Sequence, residues 1–261
     1  MNWNRVEING NRWYDIDGKK YISVTTALSH LVDDDFKNFM LEMQSKGQFD
    51  AVMKNAGDTG TQVHQCIENH QNGIELPEVN EKANNAFCNY LAAEVKHTIQ
   101  KPKYSEVTVY SKKYGYAGTM DYVGVIDGQL MVCDWKSGKF SFKNGFQVAA
   151  YRMAAIEMGL IDHDCGSSIL YIGKHGEYFK LYTHKQHEFL FEQFLCAMFN
   201  HQGLYPGIYR GLEKQGEYDL AWKNPFKTYY GIVDDPKPED FGINDAEQEN
   251  NHQNGIVGNV L

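Results

Sequence analysis

The alternation of apolar and polar positions changes period five times along the chain, and each change marks a switch between strand and helix. Trp13-Tyr14 and Lys20-Tyr21-Ile22 flank Asp17-Gly18, the residue pair that a tight two-residue turn requires, so Arg12 to Tyr21 is predicted as a β hairpin. From Val24 to Met43 the apolar residues fall at helical spacing (Leu28, Leu31, Phe36, Phe39, Met40, Met43). The acidic run Asp33-Asp34-Asp35 interrupts that pattern and predicts the start of a second helix. A further helix is expected to begin near Asp58-Thr59, either of which can cap it, and to run through His64 and Glu68 to Asn72-Gly73. Ala83 to His97 reads as another helix, closed off by Pro102.

The period then falls to two. Tyr104–Tyr110, Tyr116–Ile126 and Gln129–Trp135 read as strands, followed by a helix from Phe146 to Met158 that Gly159 ends. Ser167–Gly173 and Glu177–Thr183 form a strand pair around Lys174-His175-Gly176, and a last helix covers about Lys185 to His201. Helices first, then a largely antiparallel sheet, then further helices predict an α/β sandwich. Past Val233 the pattern collapses: residues 233–261 carry 7 acids against the single Lys237, among many Asn and Gln, and are expected to form an acidic disordered tail. The ordered part, residues 1–232, divides into an N-terminal hairpin with helices (1–100) and a sheet-bearing core (101–232).

Composition adds limits. No apolar run approaches the roughly 18 to 20 residues that cross a bilayer, and Met1 to Tyr14 has neither a basic leader nor an apolar core, so a cytoplasmic protein without a membrane partner is expected. Cys66, Cys88, Cys133, Cys165 and Cys196 are widely spaced with no CxxC pair, which argues against a zinc site or an iron–sulfur cluster. The net charge of −9 disfavours a polyanion partner if spread evenly, but it is not. Residues 101–185 hold 11 Lys/Arg against 8 Asp/Glu, a local excess of 3 positive charges, and bound divalent cations would add to it.

The chemistry enters through register. If Asp127-Gly128 is a two-residue turn, Ile126 pairs with Gln129, and counting back brings Asp121 opposite Asp134 with Lys136 on the same face. Like charges directly opposed across strands repel, and beyond them that face carries only Val123, Val132, Val125 and Leu130. Two readings of this corner stand. One is a solvated hairpin end with a casual Asp–Lys pair. The other is a site for Mg²⁺ or Mn²⁺, one ion or two, where the cation removes the repulsion between carboxylates and the lysine acts on a water or on developing phosphate charge.

Gly118-Thr119-Met120-Asp121, Asp134-Trp135-Lys136-Ser137-Gly138-Lys139 and Gln147-Val148-Ala149-Ala150-Tyr151 resemble the PD-(D/E)XK nuclease superfamily, and within it the RecB-like branch that includes phage exonucleases and the mitochondrial genome maintenance exonuclease. Upstream, Gly60 to Glu68 is similar to the first helix of that branch, and Tyr21 to Leu28 to the segment leading into it. The resemblance spans roughly residues 21 to 200. It implies a restriction-endonuclease-like α/β core, a central mixed, mostly antiparallel sheet flanked by helices, with a helical N-terminal part. It also implies a metal-dependent deoxyribonuclease acting on DNA, single-stranded or with free ends, in a bacterial or phage-infected cell. A duplex or structure-specific endonuclease and a catalytically silent nucleic-acid-binding subunit are the alternatives.

Residue by residue, the resemblance makes Asp121, Asp134, Lys136, Gln147 and Tyr151 the catalytic group. The metal would be held by His64, Asp121, Asp134 and the backbone carbonyl of Trp135, with Glu68 and Glu106 as possible additions. Ser23, Thr25, Thr26, Lys139 and Lys143 become candidate DNA contacts. Each keeps an ordinary reading beside this one: His64 and Glu68 as a structural pair one helical turn apart, Glu106 as an exposed strand residue, Ser23 to Thr26 as helix caps, Tyr151 as core, the lysines as solvated surface. Several RecB-like members carry four cysteines for an iron–sulfur cluster; the C-terminal trio is absent here.

Overall fold

The computed structural model describes residues 3–218. The expected acidic tail, and the end of the ordered part at 232, lie outside the described residues. Three strands open the chain: β1 (Trp3–Ile8), β2 (Asn11–Ile16) and β3 (Lys19–Ser23). The β2–β3 turn is Asp17-Gly18 as expected, with Ile16 opposite Lys19 and both turn residues at positive φ. A second hairpin turn of the same chemistry, Asn9-Gly10, joins β1 to β2 and was not anticipated.

Helices α1 (Val24–Ala27), α2 (Asp34–Ser45), α3 (Phe49–Asn72) and α4 (Glu81–Lys96) follow. The Asp33 carboxylate caps α2 by accepting from Phe36 N. The expectation for α3 needs correcting. It starts at Phe49, and Thr59 sits in its interior, where its hydroxyl is satisfied by Asn55 O one turn back rather than capping anything. The left-handed Gly73 ends it as foreseen. Strands β4 (Tyr104–Ser111), β5 (Tyr116–Ile126) and β6 (Gln129–Lys136), helix α5 (Lys143–Glu157), strands β7 (Gly166–Ile172) and β8 (Phe179–His184) and helix α6 (His187–Leu204) match the predicted pattern within a few residues. Helix α7 (Pro206–Lys214), opened by a proline in its first turn, is an addition.

All eight strands join one mixed sheet. Five pairings are antiparallel (β1–β2, β2–β3, β4–β5, β5–β6, β7–β8), while β3–β5 and β6–β7 are parallel. The protein is thus an α/β fold with a mixed sheet flanked by helices. Helices α5 and α6 cover one face, where Val109, Val123, Val132, Ala150, Ala154, Phe191 and Phe194 are fully buried. Helices α3 and α4 cover the other, packing Val63, Ile67, Phe87 and Tyr90 onto Tyr122, Cys133, Trp135 and Leu170. Covered on both faces, β6 is apolar at successive positions (Leu130 to Cys133) instead of alternating. No helix among the described residues is long and apolar enough to cross a membrane.

β5 organises what matters for function. One edge is paired with β4 along most of its length. The other edge is shared, β3 taking Tyr116 and Ala117 and β6 taking Tyr122 to Ile126, so residues 118–121 lie between the two partners. The Gly-Thr-Met-Asp segment occupies that gap.

Candidate metal centre

The β5–β6 ladder runs from Ile126↔Gln129 to Tyr122↔Cys133 and stops one step short of Asp121 and Asp134. Trp135 N–H donates to Asp121 Oδ2 at 2.8 Å, so a side chain takes over where the ladder ends. Asp121 O lies 3.5 Å from Ser105 Oγ on β4. On that strand Glu106 stands at the step opposite Asp121, between the pairs Ser105↔Tyr122 and Val107↔Met120, and it has φ 52°. A left-handed strand residue that is neither Gly, Asn nor Asp is strained, and such strain collects at functional sites.

Helix α3 completes the group from the other side. His64 Nδ1 lies 3.6 Å from Glu106 Oε1 and 3.6 Å from Asp121 Oδ1. Potential ligand atoms of these three residues all fall within 4.8 Å of one another, the spacing of ligands around a single small cation whose bonds run about 2.0–2.2 Å. Among the described residues no other cluster of three or more His, Cys, Asp or Glu side chains meets this spacing.

Asp134 is the most deeply buried acid of the site, 1% exposed. Its Oδ1 accepts from Gln147 Nε2 at 3.0 Å. Lys136 Nζ pairs with Oδ2 at 2.6 Å, so both carboxylate oxygens are engaged, one by the amide of Gln147 and one by the ammonium. Burial, reinforced by the mutual charge of the acids, pushes both the Asp121 and Asp134 carboxyls above the usual carboxylate range, although Lys136 and His64 work against the rise. Burial alone would lower the Lys136 ammonium; Asp134 and Asp121 outweigh it and hold it above its ordinary value. The same contest at His64 ends with the imidazole held at about 9, because Asp121, Glu106 and Asp134 outweigh desolvation. Without a cation the cluster therefore binds protons tightly. A divalent ion would compete for the same lone pairs.

Gln147 Nε2 also donates to Tyr151 Oη at 3.0 Å. Tyr151 is 4% exposed, and its ring lies so close to Gly118 that a methyl group there would sit 2.3 Å from Cε1. Glycine at 118 is thus what lets α5 deliver Gln147 to Asp134. Both residues expected in the catalytic group are linked to the Asp134 carboxylate, Gln147 directly and Tyr151 through Gln147.

The remaining expected site residues are dispersed. Glu68, one turn beyond His64, lies outside the three-residue group and faces Gln65 Nε2 at 3.5 Å. Trp135 reaches the site through its N–H, and its indole packs on Tyr90 and Tyr122 across the sheet. Ser23 and Thr26 are buried, the latter accepting Arg12 N–H at 3.2 Å; Thr25 alone of the three is exposed, its hydroxyl 2.9 Å from Ser23 Oγ. Lys139 is exposed beside the site. Lys143 Nζ reaches Leu31 O at 3.4 Å, and burial lowers its ammonium, with Lys136 adding to that effect. Ser105 was not expected as part of the site, and no charge or metal-ligand pattern marks it; Gly118 belongs to the Gly-Thr-Met-Asp motif, whose packing role the sequence did not reveal. No protein-family model matches the chain, and no curated protein matches its sequence.

Proposed function

We propose that this chain is a metal-dependent DNA nuclease of the PD-(D/E)XK superfamily, RecB-like branch, with a restriction-endonuclease-like core, acting from free single-stranded ends in the cytoplasm of a bacterial or phage-infected cell. One observation carries the reading: two buried carboxylates and a lysine converge where the β5–β6 ladder opens, beside His64 and Glu106. Such a cluster is costly to leave uncompensated in a fold, and a cation relieves the cost.

The donor set fits the group. His64, Glu106 and Asp121 would hold Mg²⁺ or Mn²⁺, with Asp134 and the Trp135 carbonyl as further oxygens. When bound, the ion supplies Lewis-acid polarisation of a phosphate and a lowered water pKa. Lys136 keeps its proton, so its Nζ can donate to the attacked phosphate or orient the incoming water. Gln147 fixes the rotamer of Asp134, and Tyr151 fixes Gln147. The site lies at the carboxyl end of β6, beside its parallel neighbour β7, the end at which open α/β sheets bind ligands.

Helix α3 favours end-directed action. Gly60 lies against Ser137, where a methyl group would touch Oγ at 3.9 Å, and His64 reaches Asp121, so the helix passes over the mouth and hinders side-on approach. Linear single-stranded DNA incubated with the protein and Mg²⁺ or Mn²⁺ should be lost while covalently closed single-stranded circles of the same sequence persist. Equal loss of both would favour an endonuclease, and loss of neither would remove the nuclease reading.

A further inference from the structure

After Lys136 the chain leaves the sheet through Ser137 to Ser141 and runs beside the β7–β8 loop, residues 173–178. Between the two loops lies a cleft of about 440 Å³ whose lining includes Ser137, the residue after Lys136, and Tyr171, the strand partner of Lys136. Two large aromatics stand exposed in its walls, Phe140 at 61% and Tyr178 at 51%. Lys139, Lys174 and His175 supply cationic or ionisable nitrogen, and among the described residues none that lines the cleft carries a carboxylate. Burial, followed by repulsion from Lys82, lowers the Lys174 ammonium, which marks this flank as locally positive.

Both walls are built. The buried Asn89 of α4 donates to Gly173 O at 2.9 Å and Gly176 O at 2.8 Å and accepts from Tyr178 N at 3.1 Å. Gly173 N–H closes the loop onto Tyr178 O at 2.8 Å. An asparagine that makes three hydrogen bonds to one loop anchors the backbone from which the Tyr178 ring projects. Opposite, Phe140 leans on Tyr171 and Tyr182, with ring centroids 5.6 and 5.4 Å away, and Ser141 N–H donates to Tyr171 Oη at 3.3 Å. Exposed aromatics flanked by ammonium groups are the chemistry that stacks unpaired bases while neutralising phosphate; a duplex keeps its base faces covered.

The geometry points to this cleft as a base-stacking subsite for single-stranded DNA, holding the nucleotides next to the phosphate presented at Lys136. The assignment rests on the nuclease reading of the metal centre. It ties strand preference to Phe140 and Tyr178, neither of which belongs to that centre.

The test is fluorescence anisotropy of a dye-labelled oligothymidylate with Ca²⁺ in place of Mg²⁺, run alongside Mg²⁺ cleavage by the wild type. Two stacking contacts are lost at once, so Phe140→Ala/Tyr178→Ala should raise Kd by about 30-fold or more, and Phe140→Trp/Tyr178→Phe should keep near wild-type affinity. Both side chains are exposed, so the alanine variant should melt like the wild type. One abasic nucleotide walked along the strand should weaken wild-type binding over a short window, and that window should vanish in the alanine variant. Wild-type affinity in the alanine variant, or an undiminished abasic window, overturns the subsite while leaving the nuclease reading in place. A wild type that neither binds nor cuts DNA overturns both.

Discussion

The two ends of the β5–β6 hairpin are built on opposite principles. At the turn, Ile126 pairs with Gln129 across Asp127-Gly128, both central residues take the left-handed conformation that a two-residue turn needs, and apolar neighbours fill the space. At the open end the ladder stops, two carboxylates are buried beside the half-buried Lys136, and the opposing Glu106 is strained. The first end is arranged for stability. The second carries desolvated like charges that folding alone does not reward.

The largest effect that should separate the two ends is catalytic. Lys136→Ala should retain Mn²⁺ binding by calorimetry, while single-turnover cleavage of DNA falls on the order of 10²-fold or more. Lys136→Arg should not restore it, since the planar guanidinium differs from an ammonium in reach and donor geometry. Wild-type turnover in Lys136→Ala would reduce this lysine to strand surface.

Next comes packing beneath the acids. Gly118→Ala puts a methyl group 2.3 Å from a Tyr151 ring that Gln147 pins, and overpacking of that kind costs about 1–3 kcal/mol. Urea denaturation should show the loss, accompanied by weakened cleavage because Asp134 loses its positioning partner. An unchanged midpoint would mean that the ring has room to move.

A buried acid away from the site sharpens the contrast. Glu157 accepts from Lys113 N at 2.8 Å, and burial pushes its carboxyl up to about 7 from an ordinary 4.5. A carboxyl raised by folding contributes stability below its unfolded value and loses that contribution as pH rises through about 7. Glu157→Gln titrates no proton there, so relative to the wild type it should gain stability between pH 5 and 8, on the order of 2 kcal/mol, with cleavage unaffected. A stability difference flat with pH would contradict the shift. The smallest effect belongs to the turn: Gly128→Ala, at φ +82°, should cost about 1 kcal/mol in thermal or urea unfolding and leave cleavage untouched.

Much of this contrast was readable from residue order. Asp127-Gly128 sets a register, and register alone brings Asp121 toward Asp134 with Lys136 on their face. Strands β4 to β8 followed from period and turn chemistry. The Asn9-Gly10 turn carried an equal signal, but β1 offers Trp3, Asn4, Arg5 and Glu7 to solvent and has little apolar rhythm. Asp58-Thr59 misled because residues that cap helices also occur inside them, where Thr59 bonds back to Asn55. The left-handed Glu106 had no glycine or asparagine to announce it, and spacing put Gln147 and Tyr151 on one helix face without revealing that both act through Asp134. Those features arise from contacts across the sheet, which no local pattern encodes.

The central claim is that the acids at the open end form a cation cradle, and Asp121→Asn tests it most directly. The amide oxygen can still accept the Trp135 N–H, so the fold keeps that hydrogen bond while losing one negative charge. Calorimetric titration with Mn²⁺ and a metal-free thermal melt on the same preparation give the answer. The account predicts that the Mn²⁺ isotherm seen in the wild type disappears while the metal-free melting temperature stays level or rises. An Asp121→Asn protein that binds Mn²⁺ with wild-type affinity would contradict it.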